Sequence, residues 1–141
     1  MSQKLLIIDD ERWFFEPLLD RLDYEGIDYE YCFTGFDGLN KLKANDYKAV
    51  ILDMKLTLGD ELLDVSVKYD VPGIYVLEEI RKHSPDLSVI CYTVLSDNEV
   101  SKKIENLKAT YIRKGVNEDE LFREIYKHIE PKNGKVLETA D

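Results

Sequence analysis

Four short runs of consecutive apolar residues punctuate the chain: Leu5–Ile8, Ala49–Leu52, Val89–Tyr92 and Tyr111–Ile112. Each is continuous rather than alternating, which predicts strands covered on both faces by helices. A fifth run, Asp28–Phe33, mixes polar with apolar residues and predicts an edge strand. Between the runs, apolar residues recur at helical spacing: Phe15, Leu18, Leu19 and Leu22; then Val100, Ile104 and Leu107; then Leu121, Ile125 and Ile129.

Local signals mark the helix ends. Ser96 with Glu99, and Asn117 with Glu120, pair a polar cap with an acidic third residue. Pro17 implies that the first helix either starts late, with Pro17 in its first turn, or is kinked there. The last helix is expected to end near Glu130, where Pro131-Lys132-Asn133-Gly134 breaks it and residues 131–141 form a frayed tail.

The order is therefore β-α repeated five times, in one domain over residues 1–130. Strand–helix–strand crossovers are right-handed, so the expected architecture is α/β, a parallel sheet between two helical layers. One stretch breaks the rhythm. Residues 55–72 separate Asp53 from a helix near Gly73, where a βα loop usually has roughly two to six residues. Within it, Leu58–Asp64 predicts a helical turn, Val65–Tyr69 an extended piece and Asp70–Gly73 a turn into the next helix.

Polar residues close the apolar runs. Asp9 and Asp10 follow Leu5–Ile8, Asp53 follows Ala49–Leu52, Thr93 follows Val89–Tyr92, and Lys114 comes shortly after Tyr111–Ile112. Ligands of open α/β sheets bind outside the carboxyl ends of the strands, where all five would gather. Three carboxylates brought together repel one another unless a cation joins them. Carboxylates, a carbonyl and waters suit Mg2+, which shares its shell with phosphate oxygens. Such an ion would hold a phosphoryl group in line with a carboxylate nucleophile, giving an acyl phosphate. A Lys ammonium and a Thr hydroxyl could take the remaining oxygens. The competing reading is a set of solvated strand-end caps.

Charge narrows the partners. The formal charge of −10 argues against nucleic acid, whose phosphates need clustered Lys and Arg. No apolar run approaches the ~20 residues of a membrane-spanning helix, and the first residues lack a signal-peptide pattern. The expected compartment is the cytoplasm.

This arrangement resembles the receiver domain of two-component response regulators over about residues 3–130. The resemblance implies a flavodoxin-like fold with strand order 2-1-3-4-5. Asp53 matches the phosphoacceptor, and Asp9 with Asp10 the acidic pair that binds Mg2+, with the Met54 backbone carbonyl as a further ligand. Thr93 matches the switch hydroxyl, Lys114 the lysine after the fifth strand, and Tyr111 the aromatic switch position. The implied donor is a phosphohistidine on a sensor histidine kinase or histidine phosphotransfer protein. The implied response is a change in the surface of the fourth helix, fifth strand and fifth helix, read by an unknown downstream protein. With no output domain in the sequence, a stand-alone signalling switch is expected rather than an enzyme. The alternative is a phosphorylation-independent, receiver-like interaction scaffold.

Departures from the family pattern carry their own expectations. Gly115 replaces the usual proline, so no cis peptide is expected there. Val94 is expected to crowd the phosphoryl pocket. Lys55 and Leu95 occupy positions that often tune phosphoryl lifetime, and Leu95, which cannot orient a water, is expected to give a long-lived phosphoryl state. The acidic residues of the long loop, Asp60, Glu61, Asp64 and Asp70, could add a second cation contact, or the loop could select partners. Trp13 is expected to pack near the metal site, and His83 and His128 to sit at helix ends as surface residues. In the implied strand order Cys32 and Cys91 stand three strands, roughly 14 Å, apart. A disulfide needs alpha carbons within about 7 Å, so both read as buried thiols.

Overall fold

The computed structural model describes residues 4–115 and 117–132. Five strands, β1 (Leu5–Ile8), β2 (Tyr29–Cys32), β3 (Ala49–Leu52), β4 (Ser88–Thr93) and β5 (Thr110–Arg113), form one parallel sheet ordered β2-β1-β3-β4-β5. Six helices connect them: α1 (Arg12–Glu25), α2 (Gly35–Ala44), α3 (Leu63–Ser66), α4 (Pro72–His83), α5 (Asn98–Asn106) and α6 (Glu118–Tyr126). The flavodoxin-like order expected from the resemblance is the one observed. The short α3 lies in the long loop, so the expected fourth and fifth helices are α5 and α6.

Side chains of one strand alternate between two cores, which is why the central runs are apolar throughout. Leu6, Ile8, Val50, Leu52, Val89 and Cys91 pack with α2, α4 and α5. Leu5, Ile7, Ala49, Ile51, Ile90 and Tyr92 pack with α1 and α6. The mixed β2 lies at one edge, as its pattern predicts, and β5 at the other. Cys32 and Cys91 are buried free thiols on strands separated by β1 and β3.

Several local expectations are corrected. The α1 helix starts at Arg12 and runs through Pro17, so the bond that Pro17 would donate to the Trp13 carbonyl is missing and the late start is ruled out. Asp97, not Ser96, caps α5: its carboxylate accepts from the Val100 amide at 3.2 Å. Asn117 caps α6 as expected, accepting from Glu120 N–H. The last helix stops at Tyr126, short of Glu130, although Ile129 beyond it is still buried. Most of the expected tail, residues 133–141, lies outside the described residues.

The 55–72 segment is packed rather than loose. Leu56 and Leu58 are buried in the core under α2 and α4. A 3-10 turn at Asp60–Leu62 leads into α3, so Val65 is helical where an extended piece was expected. Tyr69 donates to Glu78 of α4 at 2.7 Å and stacks edge-on against Tyr75. Leu63 and Val67 face solvent, Val67 at 83% exposure.

One residue without a sequence signal ties the far end together. Arg81 of α4 donates to the carbonyls of Ser84, Leu87, Leu107 and Lys108, at 2.7 to 3.1 Å. It thereby clamps the end of α4 to the turn that leads into β5. No helix among the described residues is long and apolar enough to cross a membrane.

Candidate functional site

Strand register assembles the site. Ile8 lies opposite Leu52 and Leu52 opposite Cys91, so Asp9 and Asp53 emerge side by side at the carboxyl edge, with Thr93 one residue further along β4. The ladder continues into them: Asp9 N–H donates to Cys32, Asp53 N–H to Ile8, and Lys114 N–H to the Thr93 carbonyl. Asp9, Asp53, Thr93 and Lys114 are all buried, although each is polar or charged.

Lys114 lies at the centre. Its Nζ is 2.7 Å from Asp9 Oδ2, 3.2 Å from Asp53 Oδ2 and 3.4 Å from Glu11 Oε1. Phe14 lies beneath it, with the ring centroid 4.9 Å from Nζ. Burial disfavours the ammonium, yet the Asp9 and Asp53 carboxylates outweigh it and hold its pKa above the ordinary value. The other carboxylate contacts are local: Asp53 Oδ1 accepts from Met54 N–H at 2.7 Å, and Asp9 Oδ1 from Glu11 N–H at 2.8 Å.

Asp10 is more open and turns to the long loop. Its Oδ2 accepts from both Thr57 N–H at 3.1 Å and the Thr57 hydroxyl at 2.9 Å. Ligand oxygens of Asp9, Asp10 and Asp53 nonetheless lie within 4.8 Å of one another. That is the spread of one hard cation's shell, and carboxylate oxygens are the donors Mg2+ selects. The charge balance agrees, since one ammonium faces three carboxylates. Burial pushes the Asp9 carboxyl up to about 6 in spite of Lys114. A carboxylate held in that condition is suited to a second positive charge. The residues fit a divalent ion.

Met54 is different. Its carbonyl accepts the Gly73 N–H at 2.8 Å, so one lone pair is committed to the start of α4. Gly73 has to be glycine here, because a Cβ would sit 2.4 Å from the Asp53 carbonyl oxygen.

Thr93 and Tyr111 meet on one residue, Leu95. The Thr93 hydroxyl accepts from Leu95 N–H at 3.3 Å, and the Tyr111 hydroxyl donates to the Leu95 carbonyl at 2.8 Å. Val94, expected in the pocket, is instead 55% exposed. Gly115 adopts φ 81°, the left-handed conformation that glycine takes without strain, with no cis peptide among the described residues.

Other expectations divide. Trp13 is 72% exposed, and its neighbour Phe14 is the aromatic packed on the site lysine. Asp60, Glu61, Asp64 and Asp70 join no acidic group able to hold a metal among the described residues. His83 ends α4, while His128 is tied to Ser88 at 3.1 Å and lies near Glu124. Sequence reasoning missed Glu11, Phe14 and Thr57. Glu11 could have been found from its adjacency to Asp10, and Phe14 from lying in the first turn of the helix that follows, but nothing in sequence links Thr57 to a residue 47 positions earlier.

Comparisons with known proteins agree with this geometry. The family model for the response regulator receiver domain matches residues 5–126. Among curated proteins, the response regulator MprA of Mycobacterium bovis is 25% identical over 109 residues, covering 77% of this chain and 41% of that protein. The transcriptional regulatory protein CpxR homolog of Haemophilus influenzae is 36% identical over 81 residues, covering 57% of this chain and 30% of that protein. The chain thus spans about two fifths or less of the length of these relatives. Among solved structures, a CheY-like receiver domain protein of Methanospirillum hungatei superposes with a TM-score of 0.74 at 26% identity, covering 90% of this chain and 93% of that one. The response regulator TrrA of Thermotoga maritima, solved in complex with Mg2+ and BeF, gives 0.71 at 26% identity, covering 91% of this chain and 100% of that one. A family match along almost the whole sheet, with an acidic cluster and a buried lysine at its carboxyl edge, establishes that this chain belongs to the response regulator receiver domain family.

Proposed function

We propose that the chain is a phosphoacceptor switch in which Asp53 takes a phosphoryl group in a Mg2+-dependent reaction. The observation that carries this is the buried Lys114 bridging Asp9 and Asp53, with Asp10 within a cation's reach. The donor is a phosphohistidine of a sensor histidine kinase or histidine phosphotransfer protein, and an acyl phosphate can replace it. An Asp53 carboxylate oxygen attacks phosphorus, the new O–P bond replaces the P–N bond, and the leaving imidazole takes a proton from solvent. Asp9, Asp10 and Asp53 hold the metal, and the Met54 carbonyl can join only through the lone pair that Gly73 leaves. Mg2+, when bound, neutralises charge that would otherwise repel the incoming phosphoryl oxygens.

Lys114 and Thr93 convert the new charge into movement. The phosphoryl group offers Lys114 an anionic partner beyond the carboxylates it now bridges. The Thr93 hydroxyl, which among the described residues is held by Leu95 N–H, turns to a phosphoryl oxygen. Tyr111 holds the same residue through its carbonyl, so displacement of Leu95 reaches Tyr111 through that hydrogen bond. The outcome is a shift between two packings of the surface formed by α5, β5 and α6, available to a protein partner.

The test incubates the protein with acetyl phosphate and Mg2+ and follows intact mass beside Asp53→Asn. A phosphoryl adduct that the variant loses is expected. Mg2+ binding without an adduct would replace this reading with that of a phosphorylation-independent scaffold.

A further inference from the structure

We propose that Thr57, in the long segment after β3, is a positioning residue for the divalent cation and couples occupancy of the metal site to the start of α2. The proposal rests on the Mg2+-dependent reading above. It assigns a role to a residue that contributes no ligand itself.

Thr57 is itself exposed but held on both sides. Its neighbours Leu56 and Leu58 are buried in the core. Its carbonyl accepts Gly35 N–H at 2.9 Å, and the Leu58 carbonyl accepts Phe36 N–H at 2.9 Å. These are two of the first amides of α2, which have no partner inside the helix. A backbone fixed in this way presents two donors in fixed positions, and both go to one oxygen, Asp10 Oδ2. Among the described residues Asp10 Oδ1 receives no hydrogen bond, and it is the oxygen left for a cation.

Two effects oppose each other. Donors to Oδ2 withdraw charge from the carboxylate and weaken it as a ligand. They also select one rotamer of a carboxylate that is open to solvent and would otherwise sample several. Groups behind metal ligands usually strengthen binding, and their removal costs roughly 10- to 100-fold in affinity. Orientation therefore wins here. Since the site is partly exposed and the Thr57 amide survives side-chain substitution, the expected loss is at the lower end, about tenfold.

Coupling follows by reciprocity. If Thr57 raises affinity by ordering Asp10, bound metal must in turn order Thr57 and the helix start that its carbonyl holds. No direct contact between metal and α2 is required.

The experiment measures Mg2+ affinity by calorimetry for wild type, Thr57→Val and Thr57→Ser, with amide exchange at Gly35 followed with and without Mg2+. Val keeps the shape and loses the hydroxyl, and Ser keeps the donor. About tenfold weaker binding in Thr57→Val, recovery in Thr57→Ser, and slowing of Gly35 exchange by Mg2+ that Thr57→Val reduces are expected. Equal or tighter binding in Thr57→Val, or failure of Ser to restore it, would overturn the inference and leave the phosphoacceptor reading intact. Wild type that binds no Mg2+ would overturn both.

Discussion

Replacing Asp9 with asparagine is expected to stabilise the metal-free protein, although Asp9 belongs to the candidate metal site. Its carboxyl is raised from 3.8 to about 6, first by burial and then by the Asp53 charge, against the pull of Lys114. At about 1.4 kcal/mol for each tenfold change in proton affinity, that rise makes ionised Asp9 cost about 3 kcal/mol in the fold. The sign follows from linkage. A group whose folded pKa is raised gives its full stability below its unfolded value and loses it as pH rises through the folded one. Asp9 therefore weakens the fold progressively from about pH 4 to pH 6 and stays unfavourable above. Lys114 is also raised, so in wild type it stays protonated at both assay pH values and adds no pH dependence between them. Asparagine resembles the protonated carboxyl, and its oxygen can still accept from Lys114. The assay is urea unfolding in EDTA at pH 7.5 and pH 5. Asp9→Asn is expected to gain about 2–3 kcal/mol at pH 7.5, falling to about half that at pH 5. Added Mg2+ should stabilise wild type and leave the variant nearly unchanged. A variant less stable than wild type at pH 7.5, or a difference independent of pH, would refute the reasoning.

Three further substitutions test how the fold holds the site. Arg81→Ala frees four carbonyls, at the end of α4, just before β4 and in the turn into β5, and is expected to cost about 2–4 kcal/mol by thermal or urea unfolding. Arg81→Lys should recover only part, because an ammonium lacks the planar fork of donors. Gly73→Ala places a methyl 2.4 Å from both the Asp53 carbonyl oxygen and Met54 Cα, so α4 must move away from β3. A loss of about 2–4 kcal/mol, with slower adduct formation from acetyl phosphate than in Arg81→Lys, is expected. Asp97→Ala should cost about 1 kcal/mol through the lost α5 cap, while Ser96→Ala should change unfolding by less than about 0.5 kcal/mol.

The sheet was legible because its information is local. A strand buried on both faces has to be apolar at every position, and Leu5–Ile8 and Ala49–Leu52 show this in four residues each. The site was legible for a related reason: residues that end such strands must emerge at one edge, whatever joins them. Three kinds of feature were not legible. Cap choice between Ser96 and Asp97 turns on one residue of helix phase, which pattern does not resolve. Arg81 and Thr57 act on groups 26 and 47 positions away, and hydrophobic periodicity carries no trace of such contacts. Val65–Tyr69 alternates like a strand, but packing against α4 decides its conformation instead.

The same arrangement that makes the site chemically capable makes it electrostatically unsettled. One ammonium cannot satisfy Asp9, Asp10 and Asp53 together, and burial has already raised Asp9 toward neutrality. On the proposed reading, a cation would relieve this by adding positive charge, and a phosphoryl group would then add negative charge and give Lys114 a new partner. Each arrival would change which contact Lys114 prefers, because carboxylate and phosphoryl oxygens compete for the same Nζ. Such competition is what a switch requires, since a ligand shifts an equilibrium only by its difference in affinity between two states. A site in which Lys114 were fully satisfied by a single carboxylate would be more stable and would have nothing to transmit. Leu95, its N–H held by Thr93 and its carbonyl by Tyr111, is where that competition would first reach the backbone.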